Sequence, residues 1–286
     1  MHHCAQCYAP IEKVARCGKC KSRVYCSREC QREDWVVHGH GRWCGKSGEC
    51  FAGYEFRPSC GGVGVFTTHD YSYGDVLMVE RPVLMTQNNT GLQATRILPH
   101  VLDEVMKLTP NGGTSADKYR NNHMQISDDR AGLFLNMSRV NHSCFANSTK
   151  VYAEKEQVFV LYAACDIKAN TEVTFSYYAL DVDRHDRRLE IQKQWGFTCT
   201  CQMCSGDVPE LDDLLLGNPN PGVPELIQIA ERCNRYRAGP EIQILIVRRL
   251  VLLGDLDAAL TLARKMCVLF GDNECRAELL QIISRI

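Results

Sequence analysis

Cysteine spacing constrains this chain more than any other feature. Seven cysteines fall between residues 4 and 44 as Cys4-x2-Cys7-x9-Cys17-x2-Cys20-x5-Cys26-x3-Cys30, then Cys44 after two histidines. Each x2 pair lets two thiolates grip one ion from a tight turn, and Cys26 and Cys30 share a face if that stretch is helical. One histidine added to the seven gives eight ligands, enough to close two tetrahedral zinc sites. So short a segment cannot bury the apolar surface it needs to fold alone, so metal binding supplies the folding energy. Buried cysteines without a metal are the bland alternative, and three close pairs in register argue against it.

The full chain carries 17 cysteines in 286 residues. Its N-terminus, "MHHCAQC", has no apolar signal core. The thiols are therefore expected to stay reduced and to ligate metal, in nucleus and cytoplasm, rather than to pair as disulfides. No apolar run approaches the roughly 18 residues of a membrane span. Hydrophobic residues make up 45%, charged residues 23%, and the net charge is −1. That balance excludes a polyelectrolyte partner for the chain as a whole. Locally, residues 1–50 hold nine Lys/Arg against five Asp/Glu, a mildly basic face that allows weak contact with nucleic acid or an acidic partner.

Beyond residue 50 the texture becomes β-rich. "GGVGVFTTHDYSYGDVLMVE" reads as strand, turn, strand, and Gly62-x-Gly64 allows a close backbone approach to a ligand. Residues near 90–120 read as a helical insert followed by the breaker "TPNGGTSAD". "KVYAEKEQVFVLYAACDI" reads as two strands around a turn, and "TEVTFSYYAL" as a third with Val173, Phe175 and Tyr177 on one face. A short helix, "HDRRLEIQKQWGF", leads into Cys199-x-Cys201-x2-Cys204. Three thiolates leave a zinc site one ligand short. The best remaining donor is Cys144, inside the polar run "RVNHSCFANS" at residues 139–148. A Cys–His nucleophile is the other reading of that run, but no acyl-transfer machinery accompanies it.

Taken together, "NHSCxxN", "EVTFSYY" and "WGFTCTCQMC", supported by "GGVGVF" and "NHMQI", resemble a SET domain. The N-terminal pairs with "YCSRECQREDWVVH" resemble a MYND finger, so the chain is similar to the SET and MYND domain family of protein lysine methyltransferases. The resemblance implies a mixed β/α fold: a MYND finger at 1–50, a β-rich SET domain at 51–196, and a post-SET zinc motif at 197–206. A linker at 207–224 and a short helical, TPR-like region at 225–286 complete it. It implies interleaved ligation, with Cys4, Cys7, Cys26 and Cys30 on one zinc and Cys17, Cys20, His38 and Cys44 on the next. His38 is preferred to its rival His40 because it occupies the "DWxxH" position. Cys144, Cys199, Cys201 and Cys204 would hold a third ion.

The resemblance also implies S-adenosylmethionine as cofactor and a protein lysine as substrate. Gly62, Val63 and Gly64 would contact the cofactor through their backbone. Asn122, Asn141 and His142 would anchor its charged and adenine ends, and Phe197 would stack on adenine. Tyr177 would face the transferred methyl group, with Val173, Phe175 and Trp195 lining the lysine channel. The finger would recruit a partner peptide, proline-rich in many members. Two departures from the family stand out. The finger precedes "GGVGVF" instead of interrupting the SET domain after it, and Trp195 stands where many members have tyrosine. A catalytically silent MYND–SET scaffold or transcriptional co-regulator is the alternative they raise.

Overall fold

A computed structural model describes residues 2–7, 9–13, 15–21, 23–37, 40–44, 53–59, 62–87, 99–108, 112–178, 184–205, 224, 226, 240–267 and 284. The chain divides into two compact units. The first takes Met1–His69, Asp75–Val140 and Tyr152–Leu161, and the second Asp70–Gly74, Asn141–Val151 and Tyr162–Ile286. Mixed β/α structure with a cysteine-rich N-terminal module is what the sequence led one to expect.

In the first unit, the N-terminal module pairs β1 (His2–His3) with β2 (Pro10–Ile11) and β3 (Ala15–Arg16) with β4 (Val24–Tyr25). Helix α1 (Arg28–Val36) starts at Ser27, whose hydroxyl accepts from the Cys30 N–H at 3.1 Å. That cap fixes the first turn, and with it the spacing of Cys26 and Cys30. A short α2 (His40–Trp43) follows. The module's buried apolar cluster is Cys4, Ile11, Cys17, Tyr25 and Cys44, so sulfur stands where a larger domain would place hydrocarbon. Beneath it, Arg23 donates to both oxygens of Asp34 at 2.6 Å, and Tyr25 donates to Asp34 at 2.6 Å.

The same unit continues as an antiparallel hairpin of β5 (Tyr54–Ser59) and β6 (Gly62–Thr67), in register from Tyr54↔Thr67 to Ser59↔Gly62. Gly62 opens β6 at φ 122°, a backbone region closed to side-chain-bearing residues. Strand β7 (Val76–Glu80) is buried at every position. A second antiparallel sheet orders β8 (Leu84–Gln87), β10 (Arg130–Leu133) and β9 (His123–Ser127), with β10 central. Helices α3 (Pro99–Met106) and α4 (Ser115–Asn122) belong to this unit. Val101, Val105 and Tyr119 from that pair pack on Leu84, Leu133 and Leu135. The module is pinned to this scaffold twice. Arg23 donates to the Val79 carbonyl at 3.3 Å, and His100 donates to the Cys7 carbonyl at 2.9 Å.

In the second unit, β11 (Asn141–His142) runs parallel to β14 (Glu172–Phe175), pairing Asn141 with Thr174 and His142 with Phe175. Strands β12 (Ser148–Ala153) and β13 (Val158–Ala163) each begin in one unit and end in the other. Helices α5 (Arg184–Trp195), α6 (Gln202–Ser205), α7 (Pro240–Leu252) and α8 (Leu256–Cys267) complete the unit. Ile246, Val247 and Leu250 of α7 and Ala259, Leu262 and Ala263 of α8 share one core with Cys144, Cys199 and Cys204. The expected linker at 207–224 lies outside the described residues except for Pro224. Among the described residues, no helix is long and apolar enough to cross a membrane.

Candidate functional site

Among the described residues, three groups of four ligand atoms converge, the atoms of each lying within 4.8 Å of one another: Cys4, Cys7, Cys26, Cys30; Cys17, Cys20, His40, Cys44; and Cys144, Cys199, Cys201, Cys204. Bonds of about 2.3 Å to a tetrahedral zinc place its sulfurs roughly 3.8 Å apart. The sulfur separations match: Cys7–Cys26 3.5 Å, Cys26–Cys30 3.5 Å, Cys17–Cys44 3.7 Å, Cys144–Cys204 3.6 Å and Cys144–Cys199 3.9 Å. A shared tetrahedral ion would bridge sulfurs at these distances, which are far beyond the roughly 2.05 Å of a disulfide, and none of the cysteines in the three groups is in a disulfide.

The histidine preferred from the sequence is corrected here. Among the described residues the fourth place in the second group goes to His40, the rival of the preferred His38, with Nε2 3.4 Å from the Cys17 sulfur and 3.8 Å from the Cys20 sulfur. His38 lies outside the described residues. His40 opens α2, which places it one helical turn before Cys44, and the Cys44 N–H donates to the His40 carbonyl at 2.7 Å. A four-residue separation on a helix puts both ligands on one face; the fixed spacing to Cys44 was the stronger signal.

The third group closes a loop of more than fifty residues, since Cys144 and Cys199 are 55 apart in sequence. It holds the run 139–148 against the chain that follows β14. His142 shows how. Its Nδ1 accepts the Tyr177 backbone N–H at 3.0 Å, which leaves the ring proton on Nε2, 3.2 Å from the Cys144 sulfur. Such an outer hydrogen bond to a ligating thiolate orients it and tempers its charge. Both ring nitrogens are thus committed to protein, so the expected cofactor contact of His142 is left to its ring face and main chain.

Around His142 the aromatic residues gather. The Tyr177 ring lies 5.2 Å from His142, 5.2 Å from Phe175, 5.3 Å from Trp195 and 6.5 Å from Phe197. Phe197 is 5.9 Å from His142. Helix α5 ends to make this possible. Gly196, at φ 76°, donates its N–H to the Gln192 carbonyl at 3.0 Å and turns the chain in the left-handed conformation. Trp195 and Phe197 therefore flank one turn. Burial, then the negative charge of Glu172, pushes the Tyr177 phenol well above its ordinary range, so it stays a neutral hydroxyl. Val173 and Phe175, expected channel residues, are buried on β14.

Three residues without an expected role, Asn147, Glu172 and Lys150, also hold this region together. Asn147 donates to the Glu172 carbonyl at 2.8 Å and accepts the Thr174 N–H at 2.8 Å, acting as a strand partner made from a side chain. The Asn141 side chain donates to Glu172 Oε1 at 2.7 Å. Lys150 sets its ammonium 4.3 Å from the Phe175 ring centroid. The second asparagine of "NHSCxxN" was a visible signal for Asn147; nothing local in sequence marked Lys150.

The structure thus brings Asn141, His142, Cys144, Phe175, Tyr177, Trp195, Phe197 and the tail cysteines together in one unit. Gly62, Val63, Gly64 and Asn122 belong to the other. Gly64 is buried in β6, whereas Val63 is exposed. Asn122 closes α4, its side chain donating to the Lys118 carbonyl at 2.7 Å while its own carbonyl accepts from Ser138 at 3.1 Å.

Comparison with known proteins gives two family matches, a MYND finger over residues 4–44 and a SET domain over residues 62–178. Human Histone-lysine N-methyltransferase SMYD1 is 26% identical over 272 residues, covering 80% of this chain and 53% of the relative. N-lysine methyltransferase SMYD2 of Gallus gallus is 27% identical over 231 residues, covering 71% and 50%. N-lysine methyltransferase SMYD2-A of Xenopus laevis is 27% identical over 232 residues, covering 71% and 51%. The chain spans about half the length of the curated relatives it matches.

Proposed function

Starting from a chain that belongs to the SET and MYND domain family, we infer a protein-lysine N-methyltransferase that uses S-adenosylmethionine. The observation that carries this reading is the packing of Tyr177 among His142, Phe175, Trp195 and Phe197, on a segment tethered to the third metal group. The donor chemistry fits the cofactor: flat aromatic surfaces for an adenine, and a half-buried asparagine amide for its amino-acid end.

When bound, the cofactor supplies an electrophilic methyl group on a sulfonium. The chain's own residues have three tasks. The first is to deliver a neutral amine. Free lysine has a pKa of about 10.4, so deprotonation near pH 7 costs roughly 4–5 kcal/mol in water. Walls of Val173, Phe175, Tyr177 and Trp195 desolvate the ammonium and lower that cost. Lys150 adds a fixed positive charge on Phe175, which further disfavours a second ammonium nearby. The second task is alignment, since a narrow channel makes the encounter effectively unimolecular. The third falls to Tyr177, whose neutral hydroxyl offers an oxygen to an electron-poor methyl through weak CH···O contacts. No general base is required by this scheme.

For the finger, Trp35, Val36 and Val37 stand exposed at the end of α1, an apolar patch suited to a proline-rich peptide. The local basic surplus suits an acidic partner or weak nucleic-acid contact. Reduced metal-bound thiols fit a place in nucleus and cytoplasm, where a chromatin-regulating role is open to such an enzyme.

Trp195 favours a second reading. Its indole packs 5.3 Å from Tyr177 and fills room beside the phenol, which suits a silent scaffold. Incubation with methyl-labelled S-adenosylmethionine and a proteome extract separates the two. Label on lysine, lost in Tyr177→Phe, supports the enzyme; cofactor binding without any labelled protein supports the scaffold.

A further inference from the structure

Asn141 carries more information than its position in the motif. Its Nδ2 donates to Glu172 Oε1 at 2.7 Å. A carboxylate offers only acceptors, so this contact fixes which way the amide faces: NH2 toward Glu172, Oδ1 away. Among the described residues, no donor reaches that Oδ1. Asn141 is half-buried, so this acceptor belongs to a residue partly withdrawn from water. Glu172 is itself fixed. Its carbonyl accepts from Asn147, and the backbone of Asn141 pairs with Thr174 two residues along β14.

We propose that Glu172 is a positioning residue that locks the Asn141 amide with Oδ1 outward, as acceptor for the α-ammonium of the cofactor's amino-acid end. Were the amide reversed, its NH2 would meet an ammonium, donor against donor. This inference rests on the functional reading above and adds a residue that reading does not use. Glu172 never touches the cofactor; it acts through Asn141.

The test compares two ligands by calorimetry on the zinc-loaded 286-residue chain. S-adenosylmethionine has the ammonium. 5′-Methylthioadenosine keeps the adenosine and the methylated sulfur but lacks the amino-acid end. Glu172→Ala is expected to weaken S-adenosylmethionine about tenfold, the scale of a hydrogen bond to a charged group, and to leave methylthioadenosine within about twofold. Glu172→Gln, which can still accept from Nδ2, is expected to recover most of the loss. In an Asn141→Ala background, Glu172→Ala should cost nothing further. Equal weakening of both ligands would mean that Glu172 merely supports the fold, and unchanged affinity for both would mean that it does nothing; either overturns the proposal. If the wild-type chain binds methylthioadenosine but not S-adenosylmethionine, the amide assignment fails while an adenosine site stands. If it binds neither, the functional reading falls, and this inference with it.

Discussion

Tyr177 is the residue on which chemistry is expected to turn. It is neutral, desolvated and ringed by aromatic side chains. Tyr177→Phe keeps the ring packing and removes only the oxygen. It should cut methyl transfer by at least tenfold in a labelled assay while leaving cofactor affinity within about twofold, the split expected when a contact matters only in the transition state. Glu80 poses a different single-residue problem. This buried carboxylate accepts the N–H groups of Asn136 and Met137 at 2.9 and 2.7 Å and the Asn136 side chain at 3.0 Å, capping the turn Met137–Arg139 that precedes Asn141 in the chain. Burial outweighs those donors and the nearby Arg139 charge, and pushes its pKa up to about 7. A carboxyl raised above its unfolded value binds its proton more tightly when folded, so its contribution to stability grows as pH falls from about 8 toward 5 and levels off above 8. Melting curves of wild type and Glu80→Gln over that range should therefore diverge in the wild type's favour toward acid. Both proteins share the metal sites, so the difference isolates Glu80; a constant difference would contradict the assignment.

At the scale of elements, the finger is held by more than metal. Asp34 and Arg23 are almost wholly buried and bonded to each other, to Tyr25 and to β7. Removing one partner of such a pair strands a buried charge, which costs about 3–5 kcal/mol. Asp34→Ala should accordingly release two of the zinc ions at lower chelator concentration, followed with a chromophoric chelator, and leave the third unaffected. Elements differed in how far they could be read beforehand. The strands Ser148–Ala153 and Val158–Ala163 and the helix Arg184–Trp195 follow directly from turn residues and periodicity. Helix α4 was hidden inside "TPNGGTSAD", read as a breaker. Thr114 and Asp117 form a reciprocal capping box there, so the polar residues start a helix instead of ending one. Strand β5 was missed because Arg57 and Pro58 interrupt its pattern; its pairing with β6 keeps it extended.

For the molecule as a whole, the fold was legible wherever chemistry left fixed spacings. Metal ligands must meet within a few ångströms, so cysteine intervals carried both the finger and the long closure through Cys144. The histidine was misjudged because motif position was weighed above the one-turn geometry that links His40 to Cys44. Glu172 and Lys150 were invisible for another reason: their contacts with Asn141 and Phe175 arise only once strands distant in sequence lie side by side. The central claim is that one metal, by joining residue 144 to Cys199, Cys201 and Cys204, shapes the surface proposed to hold the cofactor. Titrating S-adenosylmethionine into Cys144→Ser, with zinc counted in the same sample, tests it most directly. The account predicts two zinc ions per chain where wild type has three, and loss of measurable cofactor binding. Three ions in the variant, or two ions with wild-type affinity, would contradict it.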